Sequence, residues 1–325
     1  MVYLNQTAYS KKRTYHFLPK ILFGYPSCVT TALVYISSTQ IKMNETWKRF
    51  KRDKVALFGG TVIVIVVTAA LLAPWVTPYD PHEQFFDGLT LEGAPLPPNK
   101  RFPLGTDLLG RDLYTRLVYG ARTSLIIGIA ANAAAVLVGT LLGIIAGYLG
   151  GWVGNAIMRF TDLMMAFPAL LLAIALASIL TPSLWIVAMV IALVNWVQTA
   201  RVIYTQTLSI AEQEFIQAAR ALGATPIRIL WVHILPHLIP HITVWATLGI
   251  SVTVLFEATL SFLGIGVQPP TPSWGGIIFE SQSYFLTAPW LVIFPGISIL
   301  LFALGFNLVG DGLRDAMDPT QRGRN

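Results

Sequence analysis

His233, His237 and His241 recur every four residues, a spacing that stacks side chains on one helix face in the manner of metal ligands. Pro236 and Pro240 fall between them and no acidic residue accompanies them, so the pattern does not carry a metal site. Glu257 lies inside a long apolar run, where a charge at the bilayer centre costs roughly 2.5–3.5 kcal/mol. It must face protein or water, either as a pathway or gate residue or as a hydrogen-bonded carboxyl between helices. Neither a Ser-His-Asp arrangement nor a pair of carboxylates presents a catalytic centre. The chain also has no G-x-x-x-x-G-K-[ST] segment, whose backbone amides would cradle nucleotide phosphates. Work done with a nucleotide therefore belongs to another polypeptide.

One polar, alanine-rich stretch remains, EFIQAARALGATPIRILWVHILP, residues 214–236, set between apolar runs. Phe215, Ala218, Ala219 and Leu222 recur at i, i+3, i+4 and i+7 and share one face of a helix, while Glu214, Gln217 and Arg220 point elsewhere. Gly223 can end that helix in a left-handed cap, and Thr225 with Pro226 can start a second one that runs to Pro236. The pattern predicts two short helices at an angle; a solvated connecting loop is the competing reading.

The elements around this stretch follow from composition. Of 325 residues 54% are hydrophobic and 12% charged, about half the charged share of an average soluble domain. Charge-free runs of membrane-crossing length predict an all-α polytopic membrane protein; a β-barrel would need alternating polarity, which the runs lack. Spans are expected at Val55–Val76, Leu125–Tyr148, Met164–Leu180, Leu184–Val202, Ile242–Gly264 and Trp290–Val309. Six crossings put both ends on one side, and the cluster Lys48, Arg49, Lys51, Arg52 and Lys54 marks that side as cytoplasmic. Arg159, Arg201, Arg220, Arg228, Arg314, Arg322 and Arg324 agree, while Lys100, Arg101, Arg111, Arg116 and Arg122 fall outside. A separate interfacial helix before the second span would hold those arginines near headgroups, partly offset by Asp107 and Asp112.

The net charge of +6 is scattered through loops without interleaved aromatics, which fits membrane topology and not nucleic-acid binding. The single cysteine, Cys28, excludes an internal disulfide framework and a cysteine-based zinc site. Residues 1–42 differ from the rest and read as an atypical extension, with Met43 as the expected natural start. The expected organisation is a cytoplasmic amphipathic segment and first span over 43–76 and an external loop over 77–123. A core domain over 124–310, containing the loop 211–236, and a tail over 311–325 complete it. Small residues at Ala131, Ala135, Gly139, Gly143 and Gly147 strip one face of the second span for close helix packing. Asn132, Asn195 and Gln198 read as packing hydrogen bonds, and Pro168 and Pro295 as sites of kinks. Pro269, Pro270 and Pro272 with Trp274 make a stiff segment with an aromatic anchor at the membrane interface.

The order Gln217-Ala218-Ala219, three residues, Gly223, then Leu235-Pro236 resembles the "EAA" loop of ABC importer membrane subunits, with Gln217 at the glutamate and His233 at the nominal isoleucine. FPLGTDLLGRDLYTRLVYGARTSL (102–125), with Gly105, Thr106, Asp107, Gly110, Arg111, Asp112 and Arg116, is similar to a hallmark segment of the "C" permease subunit of dipeptide and oligopeptide importers. LSFLGIGVQPPTPSWG (260–275) and FNLVGDGLRDAMDP (306–319) are similar too, and the group includes nickel and glutathione permeases.

That resemblance implies a type I ABC importer transmembrane domain with about six helices, in the plasma (inner) membrane of a prokaryote. It implies a homologous second permease, two cytoplasmic ATPases that hold ATP and Mg²⁺ and dock on 211–236, and an external substrate-binding protein. Ala218, Ala219 and Gly223 would then be docking residues, with Glu214, Gln217, Arg220, Leu235 and Pro236 beside them. For the loop 269–274 two readings stand, a cap on the pathway that meets the binding protein and a rigid interfacial turn. An ion-coupled secondary carrier is the alternative from another class; it would normally carry paired intramembrane acids or broken helices.

Overall fold

The computed structural model describes residues 46–181 and 183–317. The extension 1–42, the expected start at Met43 and the last residues of the tail, 318–325, lie outside the described residues. Helix dominates because backbone inside hydrocarbon must satisfy its own N–H and C=O groups. The order is α1 (Lys54–Leu71), α2 (Ala73–Val76), α3 (Leu113–Leu149), α4 (Gly151–Met165), α5 (Ala169–Ile179) and α6 (Leu184–Ala211). There follow α7 (Glu214–Ala221), α8 (Pro226–Arg228), a π-helical turn (Ile229–Ile234), α9 (Leu235–Phe262), α10 (Trp274–Glu280) and α11 (Trp290–Met317).

Among the described residues five helices are long and apolar enough to cross a membrane, Pro226–Phe262 counting as one, and the pair α4 and α5 brings the number to as many as six. The expected third span, Met164–Leu180, is not a single helix. The chain bends by 86° between α4 and α5, ahead of Pro168, whose ring disfavours helical backbone in the residue before it. The interfacial helix expected before the second span is likewise not separate. It forms the first turns of α3, whose 37 residues reach about 55 Å, well beyond the hydrocarbon layer. At the other terminus α11 runs unbroken through the start of the expected tail, to Met317.

The small-residue stripe decides how α3 meets α6. A Cβ at Gly143 would lie 2.7 Å from the Ala200 carbonyl oxygen and 2.9 Å from Ile203 Cβ; Gly139 and Gly147 face Trp196, Thr199 and Thr207 in the same way. Backbones this close gain dispersion contacts that lipid cannot match. Gly143→Leu is expected to lower the melting temperature of the detergent-purified protein by about 5 °C, because overpacking such a seam costs about 1–3 kcal/mol. Unchanged melting would show that the two helices do not meet there.

Elsewhere Ala131 of α3, Ala173 and Ala177 of α5, Ile191 of α6 and Leu260 of α9 bury one another. Helix α11 packs against both α1 and α9, with Phe302 and Phe306 at the centre of that cluster. These contacts define two ends of the bundle. One carries the elbow 211–238 and the end of α3; the other carries the loops 77–112 and 263–289.

Candidate functional site

At the elbow end the chain leaves α6, makes the short helix α7 and turns sharply. Gly223 takes φ +79°, with its N–H donating to Arg220 O (3.0 Å) and the Ala224 N–H donating to Ala219 O (3.0 Å). Those two bonds close a Schellman cap, which needs the left-handed residue that glycine supplies without strain. Thr225 Oγ1 then accepts from the Arg228 N–H (3.4 Å), and Pro226 opens α8. The second helix does not stop at Pro236. It widens into the π turn, where Leu235 N–H donates to Leu230 O, and continues as α9 through Pro236 and Pro240. A ring at Pro236 would strike the Val232 carbonyl in a regular α-helix, and the wider turn makes room for it. The prolines therefore do not interrupt the helix between the three histidines.

The stripe expected to be the apolar face of α7 is mostly left uncovered. Leu222 is 88% exposed, and Phe215 and Ala218 are exposed as well. The residue that pins α7 is Ile216, fully buried with Ile203, Ile229, Ile234 and Leu238. Arg220 lies over the Tyr148 ring of α3, 5.2 Å from its centroid, and Gln217 Nε2 donates to Glu212 O (3.1 Å). Glu214, Gln217, Ala218 and Arg220 remain exposed, and Ile227 (70%) and Trp231 (62%) extend the uncovered surface past the turn. Leu235 and Pro236 are half-buried at the base of α9.

At the opposite end the residues of the 102–125 segment build a small lobe. Thr106 Oγ1 donates to Gly88 O (2.6 Å) and accepts from the Leu96 N–H (2.8 Å), while Gly105 and Gly110 make the turns. Asp112 caps α3, accepting from the Thr115 N–H (2.8 Å) and hydroxyl (2.6 Å). Arg111 and Arg116 are not left on the surface for headgroups. Both are buried and paired: Arg111 Nε with Asp107 Oδ2 (2.6 Å), Arg111 Nη2 with Glu280 Oε2 (3.0 Å), and Arg116 with Asp107 and with Glu280 Oε2 (2.8 Å). Two cations and two carboxylates so balance one another and tie α3 to α10. Arg101 and Asp87 form a further ion pair on the lobe surface.

Glu257 is fully buried, and both carboxylate oxygens are engaged: Ser124 Oγ of α3 donates to Oε2 (2.9 Å) and Ser261 Oγ to Oε1 (2.7 Å). Ser261 Oγ also accepts from the Val267 N–H (3.3 Å), so the carboxyl fastens the start of the 265–280 loop to α3 and α9. Trp274 is not an anchor at the membrane interface. It is buried edge-on to Phe302 and its indole N–H donates to Leu117 O (3.0 Å). Pro272 is buried beside it, whereas Pro269 and Pro270 are exposed. Asn132 Nδ2 donates to Ala246 O (2.6 Å) between α3 and α9.

Sequence reasoning missed Ile216, Glu280 and the two partners of Glu257, Ser124 and Ser261. Glu280 had a signal, being the one charge in a segment free of Lys and Arg that faces the arginine-rich 100–122. Ile216 had none, because the stripe one position away looks equally apolar.

Comparison with known proteins bears on both ends. A family profile described as "Binding-protein-dependent transport system inner membrane component" matches residues 139–323, and one described as "N-terminal TM domain of oligopeptide transport permease C" matches residues 43–98. Relatives include the di/tripeptide transport system permease protein DppC of Pseudomonas aeruginosa, 43% identical over 293 residues, 89% of this chain and 94% of the relative. The dipeptide transport system permease protein DppC of Alkalihalophilus pseudofirmus is 44% identical over 278 residues, 86% of this chain and 90% of its own length. The glutathione transport system permease protein GsiD of Escherichia coli O157:H7 is 38% identical over 297 residues, 91% and 97% of the two chains. Among solved structures, a chain of the MetNI methionine ABC transporter in an inward-facing conformation aligns with TM-score 0.55 at 18% identity, covering 63% of this chain and 98% of that one.

Proposed function

Because the chain belongs to the family of binding-protein-dependent transport system inner membrane components, we propose that its elbow docks the ATPases of a peptide importer while its opposite end gates the pathway. The chain is the permease subunit of an ABC importer, a multi-pass protein with several transmembrane helices. The observation that carries the docking reading is α7: a short helix fixed from behind by Ile216, with Glu214, Gln217, Ala218 and Arg220 exposed in front. A helix seated in a cleft of an ATPase is a lever, since closure of the ATPase pair must move it and the spans attached to it. Ala218 and Ala219 permit close approach, and Gly223 turns the chain away.

In this reading the elbow faces the cytoplasm, as do both ends of the chain, in the plasma (inner) membrane of a prokaryote. Lys51, Arg52, Arg220, Arg228 and Arg314 at the elbow end support that sidedness. The partners are a homologous second permease, two ATPases that hold ATP and Mg²⁺, and an external receptor. This chain is non-catalytic: it holds no nucleotide and passes on force made elsewhere. The cargo is a di- or oligopeptide, which the names of the dipeptide relatives support; the glutathione relatives favour glutathione as the second reading, with nickel behind it.

The test is reconstitution of the complete importer in vesicles with a labelled dipeptide, with glutathione and nickel as competing cargoes. Uptake is expected only with receptor and ATP together. Uptake that follows an ion gradient without ATPases would instead identify a secondary carrier. For the gate, formed in this reading by Pro269, Pro270, Pro272 and Trp274 and fastened by Glu257, deletion of 269–272 is expected to release receptor-independent ATP hydrolysis. Hydrolysis that still requires receptor in an assembled deletion variant would remove this segment from the gate.

A further inference from the structure

The elbow helix α7 is joined to the span α9 by residues 222–234, which contain a left-handed glycine and a π-helical turn. Both are places where backbone can absorb a displacement, and a lever with two soft joints delivers little unless something braces it across them. The described residues contain such a brace. The ring of Phe215 on α7 stacks on the imidazole of His237 on α9, with centroids 5.1 Å apart and planes 26° from parallel. On its other edge His237 Nδ1 lies 2.6 Å from the carbonyl oxygen of His233, inside the widened turn. A carbonyl can only accept, so Nδ1 carries the proton and donates. That bond fixes the imidazole plane and so presents its face to Phe215.

We propose that His237 is a positioning residue for coupling: it closes the π turn and holds α7 at a set angle to α9, so that displacement of the elbow reaches the span instead of being lost in the linker. The proposal rests on the docking reading of α7 and adds the route by which force leaves it. Arg220 over Tyr148 braces α7 to α3, but among the described residues the stack on His237 is the ring contact that links α7 to α9. Its position explains why an exposed histidine has its ring edge and its ring face both engaged, when a solvated one would have neither. It also gives Phe215 a role distinct from docking.

The experiment uses the complete importer in vesicles and measures cargo moved per ATP hydrolysed, together with the ATPase subunits retained on purification. His237→Leu is expected to keep the ATPases bound and to lower cargo per ATP about tenfold, the scale of one aromatic contact plus one hydrogen bond. His237→Phe, which keeps the ring and loses the donor, is expected to recover part of that loss. Phe215→Ala added to His237→Leu is expected to cost nothing more, since the stack is already gone. Additive losses, or a fall in uptake matched by an equal fall in hydrolysis, would overturn the proposal. Loss of the ATPases from the His237→Leu complex would also overturn it, making His237 a docking residue. Failure of the docking reading itself shows separately, in whether a broken cap at Gly223 releases the ATPases.

Discussion

Replacing Gly223 with proline is expected to leave the protein inserted in the membrane and to strip it of its ATPases. Gly223 sits at φ +79°, and proline is held near −65°, so the turn cannot form as it stands. Proline also removes the N–H that donates to Arg220 O in the cap. Nothing lies within 4 Å of a Cβ at this position, so the damage comes from the backbone of the elbow and not from a crowded side chain. Forcing the turn out of its left-handed conformation costs on the order of 1–3 kcal/mol, enough to lower ATPase occupancy by up to about a hundredfold at fixed subunit concentration. Gly223→Asn, which tolerates the left-handed region, is expected to stay within about threefold of the parent. Co-purification of ATPase with each variant measures the effect. Normal retention by the proline variant would refute docking at 211–236.

The second large effect is expected at the other end. Asp107→Ala leaves Arg111 and Arg116, both buried, sharing the single carboxylate of Glu280. Breaking a buried ion network by removing one partner costs about 3–5 kcal/mol, because the uncompensated charge cannot return to water without disrupting the fold. Asp107 also accepts the backbone N–H groups of Leu109 and Arg111, both at 2.9 Å, so the lobe turn loosens with it. The expected result is a large drop in monodisperse protein and in melting temperature. Adding Arg111→Met should restore part of the loss, since one cation then faces one carboxylate. Such a rescue is the signature of charge balance, and a double variant no better than the single one would assign the loss to the turn alone.

Local chemistry made much of this protein legible in advance. The apolar runs marked α1, α3, α6, α9 and α11, the small-residue stripe of α3 marked its packing face, and the Gly223 cap with Thr225-Pro226 marked the elbow. Each of these signals acts within a few residues, through helix periodicity or a turn that only certain side chains permit. Boundaries were less secure. Pro168 read as a kink within or near a single span, and the structure shows an 86° break. The pattern predicts a helix end at Pro236, and the helix instead runs through that position behind a π turn over Ile229–Ile234.

What only the tertiary structure decided is which polar groups meet. Ser124 and Glu257 are 133 residues apart, and Arg116 and Glu280 are 164 apart. Arg111 and Arg116 look like headgroup contacts in the sequence because Glu280, which pairs with both, lies on a helix that packs beside them only once α3, α9 and α10 assemble. Trp274 looked like a membrane anchor for the same reason, until Leu117 and Phe302 enclosed it. On α7 the choice between Ile216 and the stripe beside it depended on where the Ile203, Ile229 and Leu238 side chains converge. Sequence determines which segments must be helical in lipid, because each backbone has to satisfy itself. Partner choice between helices is set by close approach in three dimensions, where a buried charge or ring takes whatever neighbour the packed bundle brings within reach.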